Sequence, residues 1–138
     1  MKTLILFLAL FIFGTLTVNA QVAVIVNKGV SESTLSKAQI VNLFLMNTTK
    51  WANGSKVVVF DLKPDTPSKS KFYTYLGQSP VDVRKKWMKL QLTGEGKAPD
   101  ALNSEEDVVA KVGSTTGGIG FVTASKVSGN VKVVATIQ

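Results

Sequence analysis

Cysteine and histidine are both absent from this 138-residue sequence, and their absence narrows the chemistry that the chain can carry. Without cysteine there can be no disulfide, so the folded state depends on packing alone. Zinc sites are built mainly from cysteine and histidine ligands, and Ser-His or Cys-His nucleophile systems need a histidine. We therefore expect no metal site, no cofactor and no catalysis of these kinds.

Carboxylates could supply an acid–base pair, but the chain has one cluster of them, Glu105, Glu106 and Asp107, directly after Ser104. A serine followed by acidic residues is typical of a helix start, where the hydroxyl caps free N–H groups and negative charge suits the helix dipole. We interpret the cluster as helix capping, and predict that the protein is not an enzyme.

Arginine is almost absent as well, because Arg84 is the only one among 16 basic residues. Proteins that read nucleic-acid sequence rely on arginine forks and on clustered basic stripes, whereas the lysines here are scattered along the chain. The net charge of +7 therefore predicts a general attraction for anions and no nucleic-acid partner.

A long hydrophobic run occurs at the N-terminus, MKTLILFLALFIFGTLTVNA, where Lys2 precedes apolar residues and small or polar residues follow. This pattern is typical of a secretory signal peptide, here residues 1–20, with cleavage between Ala20 and Gln21. The alternative is a permanent anchor, but glycine and threonine interrupt the run, and a membrane span needs about 20 apolar residues. We predict one periplasmic or secreted domain over 21–138, without a membrane span after cleavage.

Short β-branched runs and capped helix starts alternate along the rest of the chain. The strands are predicted at 22–26, 56–60, 117–122 and 131–137, and the helices start at Ser36, Thr66-Pro67, Ser79-Pro80 and Ser104. The order β-α-β-α-α-α-β-β predicts an α/β fold with a mixed, mostly parallel sheet flanked by helices. The last two strands, joined by a short polar loop, are expected to give the sheet an antiparallel edge.

The glycine-rich stretch GSTTGGIGFV, residues 113–122, is either a phosphate loop or a turn into a strand. A phosphate loop leads from a strand into a helix. This stretch leads from a helix into a strand, with Gly113 as the predicted helix C-cap. We interpret it as mainly structural, and keep Thr115 and Thr116 as weaker ligand candidates at the strand start.

Taken in order, these motifs resemble the second lobe of phosphate ABC transporter substrate-binding proteins. The stretches that carry the resemblance are VAVIVNKG, LSKAQIVNLFLMNTTKWANG, VVVFDLKPDTPSKSKFY, TGEGKAP with SEEDVVAKV, and GGIGFV. The resemblance covers nearly all of residues 22–135. It implies one lobe of a periplasmic-binding-protein-like fold, in a single-lobe short form.

The same resemblance implies an exported, non-catalytic solute-binding protein that binds phosphate or a similar small anion, weakly because one open lobe leaves the ligand wet. The implied partners are an ABC transporter permease or a second lobe-like protein. The family holds its anion with an arginine and a Ser-Gly-Thr run after the second strand, whereas this loop has Asp61 and Thr66-Pro67-Ser68. The alternative is a protein-interaction module of the cell envelope that kept the lobe but lost the anion site.

The residues themselves point to the helix start at Thr66 as the best ligand candidate. A helix N-terminus offers unpaired N–H groups and partial positive charge. Thr66, Ser68 and Ser70 could add hydroxyl groups, and Lys69 or Lys71 a positive charge. The alternative interpretation is an ordinary capped helix on the protein surface.

Overall fold

The computed structural model describes residues 20–138, which form five strands and four α-helices. The predicted signal peptide lies outside the described residues, apart from its last residue, Ala20. The elements in chain order are β1 Val22–Asn27, α1 Lys37–Phe44, β2 Val58–Leu62, α2 Pro67–Leu76, α3 Pro80–Leu92, β3 Asp100–Leu102, α4 Glu105–Ser114, β4 Gly118–Thr123 and β5 Val131–Ile137. Within this part of the chain, no helix is both long enough and apolar enough to span a bilayer.

The five strands form one mixed sheet in the order β3-β2-β4-β1-β5. Strand β2 runs parallel to β3 and β4, while β1 is antiparallel to both β4 and β5. Four strands thus point the same way and β1 alone opposes them, which confirms the predicted α/β class and the mostly parallel sheet flanked by helices. One edge of the sheet is antiparallel, as expected, but the edge strand β5 pairs with β1 and not with β4.

The helices cover both faces of the sheet, and β4 shows how. Phe121 stacks on Phe72 of α2 with ring centroids 4.1 Å apart, and Phe44 of α1 lies 4.7 Å from Phe72. The adjacent Gly120 faces Val108 of α4. Because successive strand residues point to opposite faces, α1 and α2 cover one face of β4 and α4 covers the other.

Helix starts are the best predicted local feature. Ser36 forms the predicted capping box with Gln39. The hydroxyls of Thr66, Ser79 and Ser104 each accept a backbone N–H three residues on, as a capping residue should. These caps fix where α2 and α4 begin, and both starts lie at the candidate site.

Three details differ from the sequence prediction. The edge strand β3 was not predicted, because three residues among exposed polar neighbours carry too little periodicity to be recognised. The second strand begins at Val58 rather than at 56. Gly113 is not the C-cap, since α4 continues to Ser114 and ends on an extended Thr115.

The glycine-rich stretch is structural, and Gly117 is the residue that the turn requires. Its φ of +76° lies in the left-handed region, and a Cβ there would be 2.0 Å from the carbonyl oxygen of Lys56. The carbonyl oxygen of Gly117 also accepts the indole N–H of the buried Trp51 at 2.9 Å. The close approach of two backbones accounts for the glycine at this position.

Candidate functional site

The parallel strands bring three chain segments together at the end of the sheet where β2 and β4 terminate. Strands β2 and β4 run in the same direction and end at Leu62 and Thr123, so their carboxyl ends meet. Helix α2 begins soon after β2, and α4 begins soon after β3, at this same end. We call the group formed by Thr66, Ser68, Glu105 and Thr123 the α2 mouth.

One carboxylate oxygen of Glu105 is the centre of the α2 mouth. Its Oε1 accepts the Ser68 hydroxyl at 2.6 Å, the Thr123 backbone N–H at 2.8 Å and the Thr123 hydroxyl at 2.8 Å. Three donors from two separate elements thus converge on a single anionic oxygen. Convergent hydroxyl and backbone N–H donors are also the groups with which proteins hold a bound oxyanion.

The start of α2 contributes a satisfied cap to the same group. Thr66 Oγ1 accepts the backbone N–H of Lys69 at 3.2 Å and lies 2.9 Å from the Ser68 hydroxyl oxygen. An open cleft beside the cap is also lined by Ala20, Pro67 and Lys71. The Lys71 ammonium donates to the carbonyl oxygen of Ala20 at 3.0 Å.

Lys69 does not face the α2 mouth, although it was predicted as one source of positive charge there. The residue is 5% exposed, and its ammonium donates to the carbonyl oxygen of Lys63 at 3.4 Å. It lies on the interior side of the helix, where it acts electrostatically on Asp61. Of the two lysines considered, only Lys71 lines the cleft.

Asp61 is also buried, because the structure places it within β2 rather than in the loop where the sequence analysis placed it. It is 3% exposed and accepts the hydroxyl of the buried Tyr73 at 3.0 Å. Burial raises the pKa of Asp61, and its hydrogen bonds and the nearby Lys69 and Arg84 offset part of that rise. Burial and the neighbouring Asp61 charge raise the pKa of Tyr73 as well.

The remaining predicted residues lie apart from this group. Ser70 is exposed on the surface of α2. Thr115 and Thr116 precede β4, whereas Thr123 ends it, so they lie at the opposite end of the sheet. The structure therefore separates Thr115 and Thr116 from Thr66 and Ser68, which lie by the other end of β4.

Sequence reasoning missed the two residues that complete the α2 mouth, Glu105 and Thr123. Glu105 does begin α4, but its carboxylate reaches across the fold to residues 37 and 18 positions away. One feature could have indicated Thr123, namely that it ends a strand that runs parallel to β2. Ligands of α/β sheets lie outside the carboxyl ends of the strands, but using that rule required the strand pairing.

Comparisons with known proteins establish the fold. No protein-family model and no curated protein matches the sequence. Among solved structures, the chain is similar to an ABC-type phosphate transport receptor from Vibrio cholerae, at 18% identity and a TM-score of 0.66 over 83% of this chain and 46% of that one. It is also similar to a putative phosphate ABC transporter substrate-binding protein with bound phosphate from Clostridium perfringens, at 16% identity and a TM-score of 0.68 over 83% and 45%.

A third similar structure, PstS from Borrelia burgdorferi, gives 10% identity and a TM-score of 0.61 over 84% of this chain and 47% of that one. The expected resemblance is thus confirmed at the level of fold: the chain folds as one lobe of a periplasmic-binding-protein-like structure, as found in phosphate transport receptors. It spans less than half the length of the structures that it matches.

Proposed function

We propose that this protein is an exported, non-catalytic interaction module of the cell envelope, built on a phosphate-receptor lobe whose anion position is taken by its own Glu105. One observation carries the proposal, namely the three donors at 2.6–2.8 Å that converge on Glu105 Oε1 at the α2 mouth. The donors that would hold an oxyanion already have an anionic partner within the chain. The lobe then serves as a folded surface for a partner protein.

Electrostatics at the α2 mouth support this proposal. A phosphate entering there would have to displace the Glu105 carboxylate or share donors with it, and two like charges in contact repel each other. Lys69 is buried, its ammonium donates to the carbonyl oxygen of Lys63, and it does not line the cleft. The partner of the proposed interaction module is a transporter permease or a second lobe-like protein that docks on the exported lobe.

Weak binding of phosphate or a similar small anion is the second candidate function. It is favoured by the hydroxyls of Thr66, Ser68 and Thr123, which lie around one point at a helix N-terminus. The two candidates differ in one respect, which is whether an external anion or Glu105 holds these donors.

Calorimetry on the mature protein separates them. We expect the wild type to give no heat with millimolar phosphate, sulfate or acetate. Glu105→Ala should gain phosphate binding by at least about tenfold, because the three donors lose their internal acceptor and the repelling charge is removed. Glu106→Ala is the matched control, since it removes the same charge one residue away, where the carboxylate pairs with Lys126 at 2.8 Å on the surface.

The control should behave like the wild type, and thermal unfolding should show that both variants are folded. Phosphate binding by the wild type, lost when Ser68 or Thr123 is replaced by alanine, would establish the second candidate instead. Equal gains in Glu105→Ala and Glu106→Ala would mean that net charge alone governs anion binding. A pull-down from envelope extract that recovers one dominant partner, unchanged in Asp61→Ala, supports the interaction module.

A further inference from the structure

A second concave site lies at the other end of β2, away from the α2 mouth. It is a cavity of about 500 Å³ between the end of α1, the start of β2 and the loop that leads into β3. Its apolar walls are formed by Leu43, Met46, Val57, Val59, Ala98 and Pro99. Small-molecule sites are typically concave, mostly apolar and about 300–1,000 Å³ in volume, so this cavity has the size and the lining of a ligand site.

Two lysines face each other on the rim of this cavity. Lys50 and Lys56 form an antiparallel β-bridge, and both line the cavity. Residues directly opposite in such a bridge project from the same face, and like charges there destabilise the pair. Within residues 20–138 neither ammonium makes an ion pair. Two carboxylates line the cavity, of which Asp100 lies 3.9 Å from Lys97 and Glu95 pairs with neither Lys50 nor Lys56.

We propose that this cavity binds a single-chain amphiphile with an anionic head, in the manner of a short fatty acid. The carboxylate head lies between Lys50 and Lys56 and offsets their mutual repulsion. The alkyl chain lies over Met46, Val57 and Val59, where it is removed from water. Charge complementarity selects the head group, and the apolar walls select the chain.

This cavity is separate from the α2 mouth. Val58 begins β2 beside the cavity, whereas α2 begins after β2 has ended. None of the residues that form the α2 mouth lines the cavity. Failure of one site therefore leaves the other untouched, and the two sites can be tested in the same protein.

The test is a titration of the mature protein with sodium octanoate, below the concentration at which octanoate forms micelles, followed by calorimetry and by NMR of methyl groups. We expect saturable binding with shifts centred on Met46, Val57 and Val59. With 1-octanol, which has the same chain without the charge, binding should be about tenfold weaker. Inorganic phosphate should leave these methyl signals unchanged, because it has no apolar part.

Lys50→Glu tests the lysine pair without risking the fold. The new carboxylate faces Lys56 directly, so the cross-strand repulsion becomes an attraction and the variant should be at least as stable as the wild type. Octanoate affinity should fall by about tenfold or more. Lys85→Glu, with the same charge change on an exposed face of α3, is the matched control and should bind octanoate like the wild type.

Several results would overturn the assignment. These are octanoate binding that Lys50→Glu leaves unchanged, methyl shifts centred elsewhere, 1-octanol binding as tight as octanoate, and no octanoate binding at all. A loss of affinity in Lys85→Glu equal to that in Lys50→Glu would also overturn it, because net charge rather than the facing lysines would then govern binding.

Discussion

At the scale of single residues, the structure changes the surroundings expected for two charged side chains, Asp61 of β2 and Lys69 of α2. The sequence suggested that both lie near a ligand, yet both are at least 95% buried. Glu105 read as a helix cap, yet its carboxylate holds three donors from other parts of the fold. Local sequence identifies the charged residue, but only the tertiary structure decides what that charge faces.

Asp61 leads to a prediction about pH. Its pKa is raised on folding, so the protonated form favours the fold. The stabilisation from protonated Asp61 is fully present below the pKa of Asp61 in the unfolded chain, about 3.9. It is lost as the pH rises through the higher pKa of Asp61 in the folded protein. We therefore expect Asp61→Asn, which cannot ionise, to gain stability relative to the wild type between about pH 3 and pH 7. Urea denaturation of both proteins at the two pH values measures this.

The control for that experiment is Asp82→Asn, which changes an exposed carboxylate in the first turn of α3. Its side chain is exposed, so this variant measures the effect of removing one surface carboxylate without the burial that acts on Asp61. If Asp61→Asn shows the same stability difference at both pH values, the carboxyl group of Asp61 does not have a raised pKa in the folded protein.

At the scale of helices and strands, some features are determined by neighbouring residues and others by residues far apart in the chain. The predicted starts of all four α-helices of residues 20–138 are confirmed. Each was predicted from a serine or threonine and the residues after it, because capping depends on neighbours within one turn. The short strand β3 and the position of β1 between β4 and β5 depend on pairings far apart in the chain. The same long-range pairings place Thr115 and Thr116 at the opposite end of β4 from Thr123.

The turn between α4 and β4 offers a prediction at this scale. Gly117→Ala places a Cβ against the carbonyl group of Lys56 in a left-handed conformation, so we expect a loss of unfolding free energy of at least about 1–3 kcal/mol. Gly129→Ala is the matched control, because a Cβ there meets nothing within 4 Å. Its stability should change by no more than about 1 kcal/mol. Equal effects in the two variants would contradict the structural role of Gly117.

At the scale of the whole molecule, residues 20–138 form one lobe with the α2 mouth beside an open cleft on its surface. The chain matches less than half of each phosphate receptor that it resembles. A ligand in an open cleft has one side in water, which weakens its hydrogen bonds and ion pairs. At the α2 mouth the Glu105 carboxylate satisfies the donors from within the lobe itself.

Export gives a prediction for the whole chain. Expression of the full sequence in a bacterial host should yield a periplasmic or secreted protein whose first residue is Gln21, because small residues precede that position in the manner of a cleaved signal. Intact-mass measurement of the purified protein identifies the first residue. A mass that corresponds to the uncleaved chain, recovered from the membrane fraction, would favour the N-terminal anchor instead.

We propose that Glu105 occupies the place of an anion at the α2 mouth, and a pair of crystal structures grown in concentrated phosphate can show whether it does. We predict that the wild type keeps the Glu105 carboxylate on Ser68 and Thr123, and that Glu105→Ala holds a phosphate on the same donors. A wild-type crystal in which phosphate has displaced the Glu105 carboxylate, or a Glu105→Ala crystal whose α2 mouth binds no phosphate, would contradict the account.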